Sequence, residues 1–249
     1  MGAVATGWHE LGDGRRIAFC HSPGRGPTIV FLPGYKSDMA GGKATALFDW
    51  AMAERRACLL LDYSGCGESS GNFADGTLSR WRDEVLALID AHCPGPVLLV
   101  GSSMGGWLML LVALALGQPR VAGLVGIAAA PDFTDWGYAA ADKAQLAAGQ
   151  TIHEPNPYGP EPTPTFAGFW ADGEANRLLD GEIALGCPVW LLHGMADADV
   201  PWQIATRLMQ ALRSARVQLT LVKDGDHRLS RPEDIALLLA GVSALLTAS

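Results

Sequence analysis

The stretch VLLVGSSMGGWLML, residues 97–110, constrains the fold of this chain more than any other. It places a cluster of glycine and serine between two apolar segments, and both segments are hydrophobic enough to be buried. A flexible linker would be exposed, so the cluster predicts a sharp turn inside the protein. Small residues are needed there because a strand and the helix that follows it approach too closely for side chains.

Apolar runs and helical patterns alternate along most of the chain. Seven runs predict strands, at residues 17–20, 28–32, 57–61, 97–100, 121–127, 189–192 and 217–222. Five patterns predict helices, at residues 42–54, 78–91, 104–116, 201–212 and 232–246. This alternation predicts an α/β fold with a mostly parallel central sheet and helices on both faces. No helix separates the first two strands, so they should form an antiparallel hairpin at one edge.

Residues 131–186 interrupt the alternation. They are rich in proline and show no clear strand, and a loop of that length is uncommon in a compact domain unless it is functional. We therefore predict a single domain over residues 1–249 with a lid inserted at residues 131–186; the alternative is an ordinary surface excursion. Six aromatic side chains in this insertion could line a cleft or pin it to the body: Phe133, Trp136, Tyr138, Phe166, Phe169 and Trp170.

Charge and composition limit the partners. The formal net charge is −8 and no run of Lys or Arg offsets it, which argues against nucleic acid as a partner. The longest apolar run, residues 107–116, is too short to span a bilayer. No feature points to a metal or an organic cofactor, and we expect a monomer or homodimer that acts on a small molecule or an acylated protein.

The five cysteines are scattered and show no C-x-x-C spacing, so they predict neither a zinc site nor a disulfide framework. The sequence also lacks the charged and apolar regions of a secretory signal. Together these features predict a reducing setting and a cytoplasmic location.

The residues at the turn carry the pattern of a nucleophile. Residues 101–105 read GSSMG, the G-x-S-x-G elbow in which a strained backbone lifts the central serine, Ser103, above the sheet. A serine hydroxyl is a weak nucleophile unless a base takes its proton, so a histidine and a carboxylate are required. Asp197 and His227 follow the last two strands, in the order that this elbow demands. Asp199 is the rival acid, and His193 is expected to be structural, fixing the loop of Asp197.

An oxyanion formed at Ser103 would need two backbone donors. The N–H of Met104, next to the nucleophile, is the first. The loop after the second strand reads LPGYKSDM, in which Gly34 allows a close approach and Tyr35 can donate its N–H. The alternative interpretation of Pro33 and Gly34 is a plain turn.

Five stretches together carry a family resemblance: FLPGYKSDM, LDYSGCGESSGNF, VGSSMGGWLML, LLHGMADADVPW and DGDHRL. The chain resembles an α/β-hydrolase, and these stretches are similar to the subgroup of mitochondrial palmitoyl-protein thioesterases, also described as mycophenolic acid acyl-glucuronide esterases. The resemblance implies a serine hydrolase of carboxylic esters or thioesters, with Ser103 as nucleophile, Asp197 as acid and His227 as base.

The insertion at residues 131–186 shows the least similarity and no transit peptide is evident, so we expect neither the subgroup's substrate preference nor its location to carry over. Two other interpretations stay open. One is a different reaction on the same triad, such as hydrolysis of a carbon–carbon bond. The other is a non-catalytic binding protein. Haloalkane dehalogenation is disfavoured because that chemistry needs a carboxylate where Ser103 stands.

Overall fold

Eight strands form one central sheet that is parallel except at one edge. The computed structural model describes residues 6–156 and 159–247. Within these ranges lie ten strands: β1 (Gly7–Glu10), β2 (Arg16–Ser22), β3 (Arg25–Leu32), β4 (Arg56–Leu61), β5 (Val97–Ser102), β6 (Val121–Ile127), β7 (Ile152–Glu154), β8 (Thr163–Thr165), β9 (Val189–Gly194) and β10 (Val217–Val222). The order across the central sheet is β1-β2-β4-β3-β5-β6-β9-β10, and β7 and β8 form a separate two-stranded sheet. The predicted α/β fold is confirmed.

Helices cover both faces of this sheet. They are α1 (Gly42–Ala53), α2 (Leu78–His92), α3 (Met104–Leu116), α4 (Phe133–Trp136), α5 (Ala140–Ala147), α6 (Ala167–Ala175), α7 (Gln203–Ala211) and α8 (Pro232–Thr247). The buried side chains of α1 and α8 pack in one cluster, and those of α2, α3 and α7 pack in the other. All five predicted helices are present, and each begins and ends within two residues of the predicted position.

The predicted hairpin between the first two apolar runs is wrong. β2 and β3 do not pair, because β4 lies between them, antiparallel to β2 and parallel to β3. The chain crosses the start of β4 at Gly24, where a Cβ would lie 2.2 Å from the carbonyl carbon of Arg56. The antiparallel hairpin at this edge is instead β1 with β2. β1 has only four residues of alternating burial, so it carries no apolar run that the sequence pattern could detect.

The described part of residues 131–186 contains more regular structure than its proline content suggests. It contains the helices α4, α5 and α6 and both strands of the small sheet. The sequence pattern did not predict β7 and β8, because each of these strands has only three residues. The buried carboxylate of Asp132 accepts hydrogen bonds from the N–H groups of Leu178, at 2.9 Å, and Leu179, at 2.7 Å. These bonds join the two ends of the insertion at its base.

Within the described ranges, none of the helices combines the length and the apolar character that crossing a bilayer requires.

Candidate active site

Ser103 stands at the turn between β5 and α3 in a strained conformation. Its φ is 55° and its ψ is −122°, a region that L-residues rarely occupy. The glycines beside it permit this turn. A Cβ on Gly105 would lie 2.1 Å from the carbonyl oxygen of Leu32, and a Cβ on Gly101 would lie 2.3 Å from the carbonyl oxygen of Gly105. The elbow therefore puts the hydroxyl of Ser103 at the carboxyl edge of the sheet, above the N-terminus of α3.

A chain of hydrogen bonds joins Ser103 to the two residues predicted as its partners. His227 Nε2 lies 3.1 Å from Ser103 Oγ, and His227 Nδ1 lies 2.8 Å from Asp197 Oδ2. The carboxylate can only accept, so Nδ1 carries the proton and Nε2 is left to accept from the serine hydroxyl. The Asp197 side chain is fully buried, whereas His227 is 16% exposed. This arrangement allows the imidazole to take a proton from Ser103.

Asp197, and not Asp199, is the carboxylate that contacts His227. The N–H groups of Asp199 and Val200 donate to Asp197 Oδ1, at 2.9 and 2.8 Å, while Asp199 itself is exposed. Burial raises the pKa of Asp197, but hydrogen bonds from His193 and His227 outweigh it and hold that pKa well below its usual range. Asp197 is therefore ionised in the pH range where hydrolases work.

Two loops hold Asp197 against His227. A Cβ on Gly194 would lie 2.2 Å from the carbonyl oxygen of Gly225, so the loops after β9 and β10 pack backbone to backbone. The N–H of Ala196 also donates to that oxygen at 3.0 Å. Lys43 Nζ donates to the carbonyl of Arg228, the residue after His227, and so ties this loop to α1. These contacts were missed because they join residues far apart in sequence.

The loop predicted to supply an oxyanion donor borders the serine. A Cβ on Gly34 would lie 3.4 Å from Ser103 Cβ, so the backbone beside Tyr35 passes close to the hydroxyl. Among the described residues, the N–H groups of Tyr35 and Met104 have no protein acceptor, and both residues line the cleft that contains Ser103. Asp62 fixes this loop from below, since its Oδ1 accepts from the N–H of Met39 at 2.7 Å.

The cleft above Ser103 has a volume of about 740 Å³. Some aromatic residues of the insertion line this cleft, and others pin the insertion to the body. Phe133, Trp136 and Tyr138 line the cleft. Phe169 is buried beside Trp81 at a ring distance of 5.8 Å and packs the insertion onto the body. The insertion therefore contributes one wall of the cleft and is anchored to the main core through Phe169.

Asp197, Asp199 and His227 offer ligand atoms within 4.8 Å of one another, which is close enough to hold a metal ion. Two of the three already bond to each other, and His227 also contacts Ser103. The same atoms therefore fit proton transfer at Ser103 without a metal.

Fold and site together define a class of protein. The α/β hydrolase family profile matches residues 29–236, and the chain belongs to that family. It is a hydrolase, as the elbow predicted, which argues against the open alternative of a non-catalytic binding protein.

Individual relatives are similar over nearly the whole chain. Human mitochondrial palmitoyl-protein thioesterase ABHD10 is 37% identical over 234 residues, which cover 92% of this chain and 76% of the relative. The structure of ABHD10 from mouse has a TM-score of 0.91 and 34% identity, covering 98% of this chain and 99% of that one. The crystal structure of an Agrobacterium vitis S4 hydrolase has a TM-score of 0.90 and 41% identity, covering 98% and 100%. The predicted resemblance to palmitoyl-protein thioesterases is confirmed.

The predicted cytoplasmic location is contradicted, because the curated relatives named as palmitoyl-protein thioesterase ABHD10 are mitochondrial proteins. The prediction depended on cysteines that form no disulfide framework. Such cysteines separate oxidising from reducing surroundings, but they do not separate one reducing compartment from another.

Proposed function

We propose that this hydrolase cleaves carboxylic esters or thioesters through Ser103, His227 and Asp197. The observation that carries the proposal is the hydrogen-bonded chain from Ser103 Oγ through His227 to Asp197 Oδ2, at the floor of a cleft. Such a chain makes a serine hydroxyl nucleophilic because the imidazole accepts its proton while the buried carboxylate stabilises the imidazolium.

The reaction has two steps. Ser103 Oγ attacks the carbonyl carbon as His227 Nε2 takes the hydroxyl proton, and the carbonyl oxygen becomes an oxyanion. The N–H groups of Met104 and Tyr35 stabilise this charge, aided by the N-terminus of α3. His227 then gives its proton to the leaving alcohol or thiol, which leaves an acyl-enzyme. Water then attacks the acyl carbon as His227 takes its proton, and His227 returns that proton to Ser103 Oγ as the acyl–oxygen bond breaks and the acid leaves.

The aromatic wall supports an apolar acyl group as the part of the substrate that binds beside Ser103. Phe133, Trp136 and Tyr138 come from the insertion at residues 131–186, which we propose acts as a lid over the cleft. Similarity to relatives named as palmitoyl-protein thioesterases supports acyl thioesters, including those of acylated proteins, as the substrate class.

The test is a comparison of oxygen esters of rising acyl length with matched acyl thioesters. Wild type should hydrolyse both classes, and Ser103→Ala should be inactive. Asp197→Asn should lower kcat by about four orders of magnitude, because the amide favours the wrong imidazole tautomer. Asp199→Asn is the matched control and should retain activity. An inactive Asp199→Asn beside an active Asp197→Asn would reassign the acid, and full activity of Ser103→Ala would refute the proposal.

A further inference from the structure

His193 is a buried histidine beside Asp197 to which the two-step mechanism gives no part. It lies near the end of β9, on the same face of the sheet as Leu191, and has no exposed surface. Its Nε2 lies 3.0 Å from the carbonyl oxygen of Val200 and 3.3 Å from Asp197 Oδ2. Its Nδ1 is buried and has no partner among the residues that the structure describes.

These partners determine where the proton of His193 lies. A carbonyl oxygen and a carboxylate oxygen can only accept, so Nε2 must carry the hydrogen. Nδ1 is then a bare lone pair. A second proton on Nδ1 would be a buried donor without an acceptor, which is unfavourable. His193 therefore carries its ring hydrogen on Nε2 and offers that N–H to the space between Val200 and Asp197.

We propose that His193 is a positioning residue, whose Nε2–H is shared between its hydrogen-bond acceptor, the carbonyl oxygen of Val200, and Asp197 Oδ2, the oxygen that also accepts from His227. The inference rests on the proposed function of Ser103 and deepens it. With the N–H groups of Asp199 and Val200 on Oδ1, the carboxylate has donors on both oxygens. Its plane is fixed, and Oδ2 is directed at Nδ1 of His227.

The second donor on Oδ2 also affects the proton transfers. It withdraws part of the negative charge that Asp197 presents to His227. Without it, Asp197 would hold the protonated imidazole more tightly, and His227 would give its proton to the leaving group less readily. The lowered pKa of Asp197 agrees with this role, since the bond from His193 opposes the effect of burial.

Two substitutions separate positioning from packing. His193→Met fills a similar volume without a donor, and His193→Gln keeps an N–H near the position of Nε2. We expect His193→Met to lower kcat about tenfold, the worth of one hydrogen bond to a charged group, with KM within about twofold. Its acid limb in the pH profile of kcat/KM should move to higher pH. His193→Gln should restore the wild-type profile, and thermal melting of each variant checks that it folds.

Nitrogen-15 NMR of the histidine rings gives a readout that does not need activity. In the wild-type protein His193 should show the neutral Nε2–H tautomer, and Asp197→Ala should shift its Nε2 proton upfield because the bond to a charge is lost. This spectrum tests the contact between His193 and Asp197 even if His193→Met does not fold.

Different results would refute the role of His193 and the proposed function of Ser103. A His193→Met variant with the wild-type kcat and pH profile, a His193→Gln variant as impaired as His193→Met, or an Nδ1–H tautomer would overturn the role of His193. Full activity in Ser103→Ala, or no hydrolysis of esters and thioesters by wild type, would instead refute the proposed function, and the tautomer would still report on His193.

Discussion

The backbone strain at Ser103 predicts that removing its Cβ stabilises the protein. With φ at 55°, the residue occupies a region that costs an L-residue about 1–3 kcal/mol, and glycine avoids that cost. Glycine in turn loses about 0.5–1 kcal/mol of chain entropy on folding. The matched comparison is Ser103→Gly against Ser103→Ala, because both lose the hydroxyl bond to His227 and only alanine keeps the Cβ.

The difference between these two terms is about 1 kcal/mol in favour of Ser103→Gly. For a chain of 249 residues this corresponds to a melting temperature about 2–4 °C above that of Ser103→Ala. Urea denaturation and calorimetry of both variants measure the free energy of unfolding. A Ser103→Gly protein that melts at or below Ser103→Ala would refute the argument that the elbow stores strain at this residue.

Two further predictions concern the packing of Gly105 at the elbow and the titration of Lys43. Gly105→Ala should destabilise the protein by about 3 kcal/mol and reduce its soluble yield, because the new Cβ would meet the backbone of Leu32; Gly12→Ala, which has open space, should melt like wild type. Burial and the nearby Arg228 lower the pKa of Lys43 to about 8, so between pH 8 and 10.5 the unfolded chain binds more protons than the folded one. Stability from this group therefore rises with pH there, by at most about 1.4 kcal/mol per unit, and Lys43→Met should lose that rise in urea titrations. An unchanged alkaline slope in Lys43→Met would contradict the argument.

The central strands and helices were predictable because their signals are local. The strand of residues 121–127 and the helix of residues 104–116 have the predicted bounds, since each is a continuous apolar run ended by turn residues. The elbow could be located because G-x-S-x-G is contiguous. Asp197 and His227 could be placed because both follow strands whose carboxyl ends share one edge of the sheet. Their catalytic roles stay predictions.

The parts that were not predicted depend on contacts between distant residues. The position of β4 between β2 and β3 follows from the crossing at Gly24, and a glycine in a turn does not say which strand it passes. Likewise, nothing in the local sequence pairs Gly194 with Gly225, although that contact sets the distance from Asp197 to His227. The expected structural role of His193 was stated without its 3.3 Å contact with Asp197, because a buried histidine on a strand is usually satisfied within the core.

The most direct test of the central claim is the site at which a fluorophosphonate reacts. The probe forms a covalent bond only with an activated hydroxyl, and peptide mapping by mass spectrometry identifies the residue. The geometry predicts a single adduct on Ser103, formed much more slowly in His227→Ala. A protein that stays unlabelled, or that carries the adduct on another residue, would contradict the assignment of Ser103 as the nucleophile.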